Sequence, residues 1–474
     1  MSPDRRQGRG AWAPAGIAAA ILALGMGSAL AEVEAGYDKG FFIKSEKFEA
    51  HFGARIQLQY ASENRDTVMF DSLLGREIET KPLNELFVRR FKFNGAGHAF
   101  SPKVKWKFQL DVPVFQPGGS GTGNVRLEEA FFELTHRPWT QARIGQAKVP
   151  FGYEKMVSSG RLNLVDRSIV HAFFGIEQEP GLALFGESAE KKFRYVVSMT
   201  TGVSNNRGFD TLNDVSADGG SDFRYMGRVQ WEPLAPYVFE QGAVSHTDKN
   251  QLTLQLGAML NRHTVPLATD LFLPSGAILP FGADVLGADS VTFPPATETL
   301  LASWSGVSSS RKPYDRKEVE LVAGWRYGRF ALEGQAIAGI VDPDLRYLQA
   351  QDPNLTDLDF DNTGMRVQGG VFIVPSKLEI AARWALVERE AEASFLAGPP
   401  VEEEIETTEW RAGVNWYFAK HDWKWQTDVG RVDNEWRLND ERLEVPDAAL
   451  NPNVVIQNNP REDFIIRTQF QLNF

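Results

Sequence analysis

The chain has 474 residues, with 62 acidic against 50 basic side chains, a formal net charge of -12 and no cysteine. The acidic balance excludes a general nucleic-acid binder, and the missing thiols exclude both a disulfide framework and a thiolate metal site. Beyond the first 31 residues no apolar run is long enough for a membrane-spanning helix, so the hydrophobic 43% must be buried some other way.

Residues 1–31 read as a secretory signal peptide. Arg5, Arg6 and Arg9 form a basic start, Ala11 to Leu24 an apolar stretch, and Ala29-Leu30-Ala31 a small-x-small cleavage site ahead of Glu32. The apolar stretch is short for a membrane anchor and contains Pro14. For a chain sent to an oxidising compartment, the absence of cysteine removes a folding hazard.

From residue 51 onward the dominant pattern has a period of two, the signature of strands whose two faces meet different solvents. It runs through residues 52–60, 104–112, 193–199, 223–231, 252–260, 319–327, 330–336, 365–373, 378–386, 410–418, 423–429 and 464–474. In the last of these, Phe464, Ile466, Thr468, Phe470, Leu472 and Phe474 share one face and Arg467, Gln469, Gln471 and Asn473 the other. None of the twelve apolar faces carries a charge. That is what lipid demands, because Arg or Lys facing the bilayer midplane costs about 2–4 kcal/mol in a barrel. Aromatic residues gather at the ends of these faces, as in interfacial girdles.

Four less regular segments, 86–95, 126–135, 141–148 and 182–188, bring the count to about sixteen strands. The expected fold is an all-β transmembrane antiparallel β-barrel with an even strand number. Connections alternate: short at 100–102, 136–140, Gly328, 375–376 and 419–421, long at 61–85, 149–181, 261–316, 340–363, 388–405 and 432–462. Short periplasmic turns and long outer loops follow that rule and put both termini in the periplasm. The stretch 232–250 is long for a turn. The chain therefore divides into the signal at 1–31, a periplasmic N-terminal segment at 32–50 and an outer-membrane barrel at 51–474.

If the apolar faces meet lipid, the opposite faces line a water-filled lumen. They carry Arg55, Lys103, Lys105, Lys107, Arg194, Arg224, Arg228, Arg326, Arg366, Arg383, Arg411, Lys424 and Arg467 against ten acids, Glu318 and Glu320 among them. A basic lumen in an acidic chain favours anions. Lys103, Lys105 and Lys107 form the densest row, about 7 Å apart along one face; the plainer reading is that they pair with acids on neighbouring strands. The long connection 149–181 carries Lys155, Arg161 and Arg167 among Phe151, Val165, Phe173 and Phe174. So apolar a loop is expected to fold inward and narrow the lumen rather than stand in solvent. The alternative is a lid over the rim.

The stretches FVRRFKFNG at 87–95, VRLEEAFFEL at 125–134, RIGQAKVPFGYEKMVSSGRLNLVDRSIV at 143–170 and GVNWYF at 413–418 resemble the porin O/P family of phosphate- and pyrophosphate-selective outer-membrane porins. The resemblance implies a sixteen-stranded barrel, a homotrimer, an inward-folded third outer loop, and an arginine ladder with loop lysines that conduct anions. By motif, Arg55, Arg89, Arg90, Lys155 and Arg167 match such positions. Strand parity alone puts Arg90 inward and Arg89 outward, so Arg89 belongs either to the rim or to a bulge. The chain departs from the family in the inward Glu318 and Glu320 and in Lys148, which stands where an aromatic is usual.

No chemistry competes with transport. The seven histidines show no metal-ligand spacing, and the glycine-rich stretch Gly118 to Gly123 lacks the lysine of a phosphate loop and reads as a loop tip. The acidic stretch Asp352 to Asp361 lacks the glycine and closing glutamate of a calcium loop. No strand end pairs Ser with His for hydrolysis. The expected activity is passive diffusion of small anions, possible substrates including phosphate or polyphosphate, through a pathway of Arg55, Arg89, Arg90, Lys103, Lys105, Lys107, Lys155, Arg167, Arg224 and Arg228, with no cofactor. Expected partners are outer-membrane lipid and lipopolysaccharide. A general non-selective porin and a structural or adhesive barrel are the alternatives.

Overall fold

The computed structural model describes residues 33–38, 40–65, 68–71, 76–79, 82–112, 125–202, 223–245, 247–263, 314–343, 355–396, 401–438, 441–442 and 461–474. The expected signal peptide, the Gly118 to Gly123 loop tip and Asp352 lie outside the described residues.

Sixteen antiparallel strands close into one barrel. In chain order they are β1 Phe48–Arg65, β2 Leu83–Ala99, β3 Ser101–Val112, β4 Arg126–Arg137, β5 Thr140–Lys148, β6 Gln178–Glu187, β7 Phe193–Thr200 and β8 Arg224–Trp231. The second half runs β9 Thr247–His263, β10 Tyr314–Gly328, β11 Phe330–Pro343, β12 Leu355–Val374, β13 Leu378–Phe395, β14 Val401–Ala419, β15 Trp423–Leu438 and β16 Arg461–Asn473. Each strand pairs with the next, and β16 returns to β1, with Leu472 opposite Ile56 and Asp463 opposite Arg65. Closure gives both sides of every strand a ladder partner, the condition for a sheet to cross hydrocarbon without an open edge.

The apolar faces point outward as the alternation requires. Leu321, Leu332, Val367, Trp410, Val414 and Phe464 are each exposed although large and apolar, while their strand neighbours Glu320, Glu333, Gln368 and Arg411 are buried inside. Aromatic residues flank the short turns, where Phe418 stacks on Trp423 at 4.8 Å and Trp423 meets Phe470. On β12, β13 and β14 the outward face changes character above the apolar belt: Asp361, Glu390 and Glu404 lie in register, as do Asp359, Glu392 and Glu402. The hydrocarbon layer ends below that carboxylate tier. We expect Leu321→Arg, at mid-height on β10, to lower the folding free energy by about 2–4 kcal/mol in urea titrations into lipid bilayers. An unchanged transition would show that this face does not meet lipid.

Strands reach further than the alternation indicated. Residues 340–343, 355–363, 388–395, 401–405, 432–438 and 461–462 were expected in loops and are strand. Above the membrane the outward face is wet, and on β12 exposed Asp359 and Asp361 alternate with buried Leu358 and Phe360, so an uncharged outward face no longer marks the strand while the ladder continues. Two bulges shift parity elsewhere, one on β2 where Gln57 faces Arg90 but Leu58 faces Val88, the other on β4 between Leu127 and Glu129.

The chain ends are joined. Phe474 and Ala54 exchange both backbone hydrogen bonds, at 2.6 and 2.9 Å. Just beyond, an N-terminal hairpin of Glu34–Tyr37 and Phe41–Lys44 pairs with β1 through Phe41 opposite Phe52 and Lys44 opposite Glu49. This hairpin continues the sheet where β16 runs out.

Candidate functional site

The connection between β5 and β6, residues 149–177, folds into the lumen as the apolar composition predicted. It is built from a four-residue helix α1 Tyr153–Met156, a 3-10 turn Ser159–Arg161 and a six-residue helix α2 Ile169–Phe174. Ser168 caps α2 by accepting from the His171 N–H. Phe151, Tyr153, Val157, Leu162, Val165, Val170 and Phe174 are buried against the wall. Inward glycines on the wall make room: a Cβ at Gly364 would lie 2.6 Å from the Phe174 ring, and one at Gly413 would lie 2.8 Å from Leu164.

The backbone of this loop has no ladder partner, so the wall supplies one residue by residue. Glu320 accepts from the N–H groups of Gly152 at 3.2 Å and Tyr153 at 2.6 Å. Asp428 accepts from Val165 at 2.7 Å and Glu409 from Ile169 at 3.0 Å. Lys424 donates to the Leu162 carbonyl at 2.7 Å, Asn415 to that of Asn163 at 2.7 Å, and Arg383 to those of Asp166 and Arg167 at 3.0 and 3.1 Å. Of the two inward acids that depart from the family pattern, Glu318 pairs with Arg316 on its own strand, while Glu320 is thus occupied, beside Asp428 and Glu409, in seating the loop. Their charges are balanced in place, Glu320 by Arg228, Glu409 by Arg383 and Arg411, and Asp428 by Arg411.

One carboxylate clasps the loop between the two ends of the chain. Asp166 receives Arg90 of β2 at 3.2 Å and Arg467 of β16 at 3.1 Å, with Arg89 at 3.6 Å. Burial alone would raise the Asp166 carboxyl, but Arg89, Arg467 and Arg90 outweigh it and hold the group well below the usual carboxylate range. The β2 bulge is what brings both Arg89 and Arg90 to it, which resolves the position that parity left open for Arg89.

A second segment enters from the opposite end. Residues 232–245, within the connection too long for a turn, rise into the lumen and bury Tyr237, Glu240, Gln241, Ala243 and Val244. The N–H of Gln241 donates to the Arg161 carbonyl at 2.9 Å, and its side chain accepts from the Asn163 N–H at 3.3 Å. Phe239 packs on Tyr153 at 5.9 Å, and the Tyr153 and Tyr237 hydroxyls both donate to Glu333, at 3.0 and 3.4 Å. Outer loop and periplasmic segment meet as a septum filling the lumen beside β9 to β16. Its signal in the sequence was the apolar content of a supposed turn: Tyr237, Phe239, Ala243 and Val244 need cover.

Beside this septum lies a cavity of about 660 Å³ along β3 to β8. Lys105, Lys107, Arg143, Lys148, Arg161, Arg194 and Arg228 line it against only Glu129, Glu133 and Glu187. Each of those acids is matched: Glu129 by Lys107, Glu133 by Arg143 at 2.7 Å and Glu187 by Arg194 at 3.6 Å. Lys105, Lys148 and Arg161 form no ion pair among the described residues; Lys148 reaches only the Met156 and Val157 carbonyls, at 3.3 and 3.5 Å. The wall of the cavity thus pairs four of its cations and leaves three without an acid among the described residues.

The expected pathway residues separate into two groups. Lys105, Lys107 and Arg228 line the cavity, and Lys103 continues their row at the exposed end of β3. The others are tied into the scaffold. Arg55 holds Ser158 and Ser159 at 3.1 and 3.0 Å, Arg89 and Arg90 hold Asp166, Lys155 pairs with Glu177, and Arg224 pairs with Glu179. Arg167 donates to the Glu154 and Val157 carbonyls at 2.9 and 3.0 Å. Arg143 was missed because residues 141–148 lack the clean alternation on which the inward charges were counted.

A family model described as phosphate-selective porin O and P matches residues 77–264, so the resemblance read from the motifs holds there. No curated protein matches by sequence. Among solved structures, the anion-selective porin from Comamonas acidovorans aligns with a TM-score of 0.50 and 11% identity, covering 90% of this chain and 100% of that one. The outer-membrane channel DcaP of Acinetobacter baumannii aligns at 0.44 and 12%, covering 91% and 99%. The trimer form of OmpT from Vibrio cholerae aligns at 0.48 and 10%, covering 89% and 99%.

Proposed function

We propose that this chain, a porin channel of the bacterial outer membrane, passes small anions by diffusion along the β3 to β8 side of its lumen. The observation that carries the reading is the wall of that passage, where every acid has a basic partner and Lys105, Lys148 and Arg161 have none. Fixed positive charge in a narrow, low-dielectric pore raises the local anion concentration and excludes cations. Phosphate, named in the family description, is one such anion. Transport rather than catalysis, export through residues 1–31, a homotrimer, and contact with lipopolysaccharide belong to the same proposal, supported by the family resemblance.

Reversal potentials across planar bilayers in a potassium chloride gradient test it. The unaltered protein is expected to favour chloride, and the triple change Lys105→Gln, Lys148→Gln and Arg161→Gln to bring the permeability ratio close to unity. Cation preference in the unaltered channel sinks the proposal.

A further inference from the structure

The same passage carries a second pattern that an inorganic ion does not need. Phe131 on β4, Phe185 on β6 and Phe239 on the periplasmic segment all line it, half-buried, so each keeps ring surface toward the opening. They come from three separate stretches of chain and share the wall of the cavity with the cations. The Arg143 guanidinium lies 4.8 Å from the Phe131 ring centre and 5.3 Å from that of Phe185. A hydrated phosphate gains nothing from such rings, because apolar wall raises the cost of wetting a narrow pore. A solute with a flat apolar body gains from both surfaces, burying its body against the rings while its charge meets the basic groups.

We propose that the preferred solutes are small organic acids bearing one carboxylate on an aromatic or similarly flat apolar body. This rests on the anion reading above. The carboxylate is drawn in by Lys105, Lys148 and Arg161, and the body travels along Phe131, Phe185 and Phe239. The rings thus set specificity among anions that the charges admit alike.

Benzoate and acetate are the probes, since they share one charge and differ in the apolar body. By size alone acetate should pass faster. In bilayers with one sodium salt on each side, benzoate is expected to be several-fold the more permeant, and added benzoate to compete with chloride current. The double variant Phe131→Asn and Phe185→Asn, which alters only lumen-facing side chains, is expected to return the ratio to the order set by size; Phe239→Ser, outside the strands, should move it the same way. Acetate ahead of benzoate, with no competition against chloride, overturns the inference, and in a channel that still favours chloride over potassium it leaves the anion reading standing. Preference for potassium in the unaltered protein removes both together.

Discussion

Asp166→Ala frees the inward loop from the wall. The substitution leaves the Arg89, Arg90 and Arg467 guanidinium groups clustered without the carboxylate they share, and breaking a buried ion pair from one side costs about 3–5 kcal/mol. Much of that cost falls on the loop, because the sixteen-strand ladder does not depend on it. The expected result is a channel of normal strand content whose open current becomes noisy and whose segment near residues 158–167 becomes accessible to protease. Loss of this carboxylate should also push the reversal potential further toward anions. A quiet, protease-resistant channel would show that the remaining contacts, such as Arg55 to Ser158 and Lys424 to Leu162, hold the loop without the clasp.

Replacing residues 233–245 by a shorter extended glycine-serine linker opens the other half of the lumen. Trp231 pairs with Leu254 while β9 starts at Thr247, so a linker long enough to span that overhang of roughly 20 Å joins the strands without disturbing the ring. Single-channel conductance is expected to rise several-fold. Selectivity should fall as well, because the segment covers carboxylates: Gly242 packs against Glu379, and Tyr237 against Glu333. Once uncovered, these groups face the widened pore. A conductance unchanged from that of the parent would mean that the outer loop alone limits the flow.

Much of the barrel was legible because lipid imposes a rule on side chains that can be checked without coordinates. Phe464 to Phe474 alternate because one face meets hydrocarbon, and closure of the barrel pairs them with β1 at the opposite end of the chain. The rule lapses where its cause does. Leu355 to Asp361 rise above the hydrocarbon on β12, carry acids on their outward face, and read as loop. Bulges escape it for a different reason: an extra residue at Arg89 is a backbone event that parity cannot register. In the lumen, parity gives the face of a charge and not its partner. Arg224 and Arg228 were assigned inward correctly, but only the fold brings Glu179 to one and Glu320 to the other. Counting inward charges over the whole wall therefore mixed scaffold ion pairs with the few cations of the cavity, Lys105, Lys148 and Arg161, that meet no acid among the described residues.

The Asp166 clasp also implies an order of events. Its partners Arg90 and Arg467 stand on β2 and β16, and Gln57 meets Gln471 across a separation of 414 residues. Contacts so distant in sequence form late, after the entropy of closing the chain has been met. Until the final strand docks, Asp166 has only one side of its binding site and the loop only part of its seat. A barrel stalled before closure would hold an unseated loop, so its leak should be wide and indifferent to charge. The discriminating pore is then the last feature the molecule acquires, and it marks a finished barrel.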